Sequence, residues 1–151
     1  MSTTYKDKIT QVPVFTTFAM PLRDHIAEIL VNISKPRVLK KGERLYAEGA
    51  IDDNTGAILV DGGLLVSYGR EHETTVLLQA PEMVGEMQQF NKYGTRTATV
   101  SAGMTATVLE FAWHDLVSRI QDRPDINHAD HTLIRDAFKK FAGDRFKRRE
   151  E

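Results

Sequence analysis

Apolar and polar positions change their period twice along the chain. Leu22, Ile26, Ile29, Leu30 and Ile33 recur at helical spacing behind Pro21, a residue suited to a first helical turn, and Pro36 ends the pattern. Between Arg37 and Phe111 the pattern becomes short apolar or alternating runs, at 57–60, 64–68, 74–79, 97–101 and 105–111, separated by glycine and polar turns. Runs of that length and spacing predict a β-sandwich or barrel. Helical period returns with Trp113, Leu116, Val117 and Ile120, and beyond Pro124 with Leu133, Ile134, Ala137, Phe138 and Phe141. The prediction is a mainly β fold with one N-terminal helix and two C-terminal helices, and without an internal repeat.

Composition narrows the class. With 151 residues the chain can close one real core but has little room for a second domain. Twenty Lys and Arg against 21 Asp and Glu give a formal charge of -1, so no general polyanion surface and no direct nucleic-acid partner are expected. Cysteine is absent, which excludes disulfides and thiolate metal sites. No charged-then-apolar leader stands at the start, and no run nears the roughly 20 apolar residues of a membrane span. A cytoplasmic setting with no membrane contact is therefore expected.

Candidate chemistry concentrates in one segment. Val84-Gly85-Glu86 is followed, after a polar stretch, by Thr95-Arg96-Thr97-Ala98-Thr99-Val100. Gly85 lets the main chain approach a ligand, and a helical turn over residues 86–90 would aim its N–H groups at an anion. Arg96 offers a planar, always charged fork matched to two phosphate oxygens, whereas ionised Glu86 only accepts and suits a ribose hydroxyl pair. The ligand implied is an anionic nucleotide. Against this stands the plain reading, a surface arginine paired weakly with a glutamate on a strand end. Other constellations are thin. His128 and His131 flank Asp130 on a helix start without a third metal ligand, and His72 is the one histidine between residues 37 and 111. No metal site and no nucleophile–base set is expected, so the chain is read as a non-enzyme.

In order and spacing, Gly85, Glu86, Arg96 and Ala98 resemble the phosphate-binding cassette of cyclic nucleotide-binding domains. Lys41-Gly42-Glu43, Glu48-Gly49 and Ile58-Leu59-Val60-Asp61-Gly62 are similar to that family's glycine turns, and Phe111-Ala112-Trp113 with Leu116 through Ile120 to its last strand and first closing helix. The resemblance spans residues 14–142, leaving 1–13 as an N-terminal extension and 143–151 as a charged tail. It implies a jelly-roll β-barrel of cupin-like shape, flanked by the three helices, with a ligand in the barrel drawing the last helix over the pocket. The implied ligand is cAMP, or else cGMP, with no further cofactor. Arg96 would meet the cyclic phosphate and Glu86 the ribose 2′-hydroxyl. The main-chain N–H groups of Gly85 to Met87, with Thr97, would complete the phosphate shell. Val66, Val76 and Leu78 would pack the base.

Two departures from the family pattern bear on function. Met87 and Phe90 fit the cassette, but Gln88 and Gln89 stand where small and aliphatic residues are usual. Aligned on the Arg123-Pro124-Asp125-Ile126 turn, the closing helix carries Phe141 and Ala142 where a family member places base-contacting hydroxyls, which leaves Thr132 and Arg135 as substitutes or as a solvated helix face. The leading expectation is a regulatory cyclic nucleotide-binding module that signals through its C-terminal helix, to an effector or a second copy of itself. The alternatives are a protein-interaction or dimerisation module with a degenerate pocket, and the sensor fragment of a transcription regulator or signalling enzyme.

Overall fold

The computed structural model describes residues 4–51, 54–68, 74–85 and 96–150, with the backbone alone for 74 and 143–150. Two helices open the chain, α1 (Tyr5–Thr10) and α2 (Met20–Ile33), joined through a 3-10 turn at Phe15–Thr17. Eight strands follow among the described residues: β1 (Lys35–Leu39), β2 (Arg44–Tyr46), β3 (Thr55–Asp61), β4 (Gly63–Tyr68), β5 (Thr74–Gln79), β6 (Glu82–Val84), β7 (Thr99–Ala102) and β8 (Ala106–Ala112). Helices α3 (Trp113–Asp122) and α4 (His128–Glu150) close the described chain.

The strands form two four-stranded antiparallel sheets, β1-β8-β3-β6 and β2-β7-β4-β5. This is the expected mainly β, jelly-roll-like architecture with helices at both ends. Strand β3 explains its own sequence. Ala57 and Leu59 point between the sheets, where they join Leu64, Val66, Ala98, Val100 and Val108. Ile58 and Val60 point the other way into a second core with the helices. A strand covered on both faces needs a continuous apolar run rather than an alternating one, and residues 56–60 are all buried.

The helical core holds Phe15, Ile26, Leu30, Trp113, Leu116, Ile134 and Phe138. Phe138 of α4 packs edge-on against Phe15, with ring centroids 5.9 Å apart, and against Trp113 at 5.7 Å. Helix α1 adds an element to the single N-terminal helix read from the sequence. Thr4 caps it by accepting from the Asp7 N–H, and Ile9 and Val12 are fully buried. At the other end, α4 runs as helix through the segment expected to be a tail.

An ionic cluster ties the turn between α3 and α4 to α2. Arg123 donates to Asp125 at 2.8 and 3.1 Å, to Glu28 at 2.7 Å and to the His25 carbonyl at 3.2 Å. Lys6 reaches Glu28 at 3.1 Å, and His25 faces Asp125 at 3.3 Å. The bonds from Arg123, then Lys6, hold the Glu28 carboxyl below its usual range, and Arg123 does the same to Asp125.

Candidate functional site

Among the described residues Arg96 is the one buried charged side chain, 5% exposed. Taking a guanidinium out of water is costly unless its donors and its charge are answered. Strand β3 and strand β2 supply part of that answer. The Arg96 Nη2 donates to the Thr55 carbonyl at 3.2 Å and to the Thr55 Oγ1 at 3.0 Å. Its Cζ lies 3.8 Å from the centroid of the Tyr46 ring, a stacked cation–π contact. The Arg96 backbone is fixed as well: its N–H donates to Ala50 and its carbonyl accepts from Gly49, each at 2.9 Å. The Glu48-Gly49 turn therefore braces the arginine, with Gly49 at φ +82°.

Gly85 ends β6 at φ +88°, a backbone state that favours glycine. Space demands the same residue. A Cβ there would meet the Gly56 Cα and Thr55 carbonyl at 3.0 Å and the Tyr46 hydroxyl at 3.1 Å. The Gly85 carbonyl accepts from the Trp113 indole at 3.2 Å, and the Trp113 backbone N–H donates to Asn54 at 3.0 Å. Gly85 and Arg96, separated by ten residues in sequence, are thus brought to one place at the start of β3.

The remaining predicted residues divide by position. Ala98 is buried in the core between the sheets, and Thr97 is half-buried beside it. Pairing sets Val66 opposite Val76 and Val100, and Leu64 opposite Leu78, so Val66, Val76 and Leu78 share the inward face. Val66 is buried and Leu78 packs on its cluster, while Val76 is 41% exposed. Val76 lies on β5, the edge strand of its sheet. Glu86 and Met87, with Gln88, Gln89 and Phe90, lie outside the described residues.

Sequence reasoning missed Tyr46, Thr55, Gly56 and the hydrogen bond of Trp113. No local signal marks them, because each acts on a residue far away in the chain. Thr132 and Arg135 line a separate groove of about 600 Å³ between α3 and α4, floored by Trp113, Ile120 and Phe138. His128 and His131 lie on the first turn of α4, where His131 Nε2 is 3.3 Å from the Ile126 carbonyl oxygen. Asn127 and Asp130 exchange capping bonds, Asp130 N–H to Asn127 Oδ1 at 2.8 Å and Asn127 N–H to Asp130 Oδ2 at 3.3 Å. Among the described residues no three ligands gather to hold a metal, and no helix is long and apolar enough to cross a membrane.

Solved structures share this fold at low identity. The chain superposes on the sensor domain of the transcriptional regulator DNR from Pseudomonas aeruginosa with a TM-score of 0.66 and 15% identity, covering 96% of this chain and 95% of that one. The catabolite activator protein of Thermus thermophilus gives a TM-score of 0.68 and 16% identity, over 91% of this chain and 60% of the longer one. A PKAR CBD2 structure with bound Sp-2Cl-cAMPS gives 0.63 and 20%, over 91% and 88%. No curated protein sequence matches the chain. Residues 36–123, from β1 through α3 to the Arg123 turn, match the pattern of the cyclic nucleotide-binding domain. That match covers more than half of the 151 residues, and the chain belongs to the cyclic nucleotide-binding domain family.

Proposed function

We propose that this chain is a non-enzymatic regulatory module that takes a cyclic nucleotide, cAMP in preference to cGMP, between its two sheets and passes the event to α4. The observation that carries the reading is Arg96, a buried guanidinium held beside the positive-φ Gly85 at the barrel's edge. A charge kept at that depth is suited to a phosphate that arrives with its own negative charge. Arg96 would neutralise the cyclic phosphate, with N–H groups from Gly85 to Met87 and the Thr97 hydroxyl around it. Glu86 would accept from the ribose 2′-hydroxyl, and Val66, Val76 and Leu78 would face the base. Two structural neighbours are described with cAMP or an analogue of it, and a third with a cyclic-GMP-dependent pathway, so the order of the two bases rests on the titration below. Output would pass through α4 to an effector or a second copy of the chain, in a cytoplasmic setting. No catalytic step is needed, since ligand shifts α4 only by its difference in affinity between the two helix positions.

Calorimetric titration of the domain, freed of co-purified nucleotide, tests the proposal. The wild type is expected to bind cAMP at micromolar or tighter dissociation constants and cGMP more weakly. Arg96→Ala is expected to lose about 2 to 5 kcal/mol of binding, the scale for truncating one partner of a desolvated charge pair. A change below about threefold in affinity would remove Arg96 from the role of phosphate ligand.

A further inference from the structure

Tyr46 is placed by an irregularity in its strand. Arg44 pairs with Ser101 and Tyr46 with Val100, so two steps along β2 answer one along β7. A bulge of this kind breaks the alternation of side chains and re-aims the residue behind it. Its effect is visible in the packing: the consecutive residues Leu45 and Tyr46 both lie against the core between the sheets. In an unbroken strand one of them would face away.

From that position one side chain touches both ends of the cassette. The ring lies under the Arg96 guanidinium, 3.8 Å from Cζ to centroid, and the hydroxyl occupies the space a Cβ on Gly85 would need, at 3.1 Å. A ring stacked on a guanidinium fixes its plane and offsets its charge without occupying an N–H donor. Thr55 constrains the same group from the side, through Nη2.

We propose that Tyr46 is a positioning residue of the anion site: its ring sets the plane of the Arg96 fork beside the Gly85 main chain, where a single phosphate group would bind. The inference deepens the cyclic nucleotide reading and rests on it for the identity of the anion. The bulge is then part of the site, since it delivers an aromatic ring to a place that regular strand alternation denies it.

Two measurements on Tyr46→Phe and Tyr46→Leu test the role. The first needs no ligand: the NMR resonances of the Arg96 side chain, assigned by comparison with Arg96→Lys. Ring-current displacement of the Arg96 Hε is expected in wild type and Tyr46→Phe and is lost in Tyr46→Leu. The second is calorimetry with cAMP and cGMP. Tyr46→Leu is expected to weaken binding about tenfold and Tyr46→Phe less than about threefold. Tyr46→Met replaces Tyr46→Leu if the latter does not fold, with the same expectations. An Arg96 resonance unmoved by Tyr46→Leu, or affinities equal in wild type and Tyr46→Leu, overturns the proposal, as does a loss in Tyr46→Phe as large as in Tyr46→Leu. If the wild type binds neither nucleotide, the functional reading fails by itself, and the resonance experiment still decides whether Tyr46 positions Arg96.

Discussion

The indole N–H of Trp113 donates to the carbonyl of Gly85 at 3.2 Å, which joins the first residue of α3 to the first glycine of the cassette. The same ring packs edge-on against Phe111, with centroids 5.0 Å apart, and against Phe138 of α4 at 5.7 Å. Trp113 is 3% exposed and is the chain's one tryptophan. Anything that moves Gly85 therefore presses on a ring that also bears on α4.

Trp113→Phe retains most of that packing and removes the donor. It is expected to lower unfolding stability by roughly 1 to 3 kcal/mol, the range for leaving a buried acceptor unanswered. Trp113→Ala is expected to lose about 3 to 5 kcal/mol. Urea denaturation followed by circular dichroism measures both, and a Trp113→Phe protein as stable as wild type would show the bond to be energetically idle.

Gly56 is the neighbour that makes room for the indole. A Cβ there would sit 2.8 Å from the Phe111 Cζ and 3.0 Å from two atoms of Trp113. Gly56→Ala is expected to overpack the site by roughly 1 to 3 kcal/mol and to displace the ring. Because no other tryptophan contributes, a shift in the emission maximum reports that displacement directly. Unchanged emission together with unchanged stability would show that Phe111 yields at no cost.

Acid should loosen the clamp at Arg123. The folded state holds Glu28 below its ordinary 4.5 and Asp125 below its ordinary 3.8. The unfolded chain then takes up protons at a higher pH than the folded one, so the stabilisation is complete above those ordinary values and is lost as pH falls through the lowered ones. Melting temperature followed from about pH 7 to about pH 3 should fall in the acid limb for wild type and less steeply for Glu28→Gln/Asp125→Asn. Both carboxylates are solvent-exposed, so added salt should shrink the difference. Parallel curves for the two proteins would show that these carboxylates do not contribute to the acid response.

Helix α1 should matter beyond its six residues. Ile9→Ala empties a fully buried position between α1 and the rest of the helical core, and a loss of about 2 to 5 kcal/mol is expected. Denaturant titration checks it; a loss below about 1 kcal/mol would show that the site collapses around the smaller side chain.

Legibility in the sequence followed the range of the interactions. The period of Leu22, Ile26, Ile29 and Leu30 exposed α2 because those residues share one face, and the run 57–60 exposed β3 because two cores cover it. Arg96 and Gly85 stood out through residue chemistry and spacing. Helix α1 did not, since six residues are too few for a period; the Thr4-Tyr5-Lys6-Asp7 cap was its one available sign. Tyr46 was hidden for a different reason. The bulge that aims it breaks the alternation from which a strand's inner face is read, and its partner lies fifty positions on. Thr55 reaches Arg96 across 41 residues, and such a meeting is fixed by sheet topology rather than by neighbouring sequence.

The ionic clamp gives α4 a fulcrum. With the Arg123–Asp125 turn fastened to Glu28 and His25 of α2, any rotation of the last helix must pivot close to its first turn. Its 23 residues make an arm of roughly 35 Å at 1.5 Å per residue. A tilt of about 10° moves backbone one turn from the pivot by about 1 Å and the far end by roughly 6 Å. A displacement of Phe138 beside Trp113 would, on this geometry, reach Glu150 about twice enlarged, with the gain set by the length of the helix rather than by the strength of any contact.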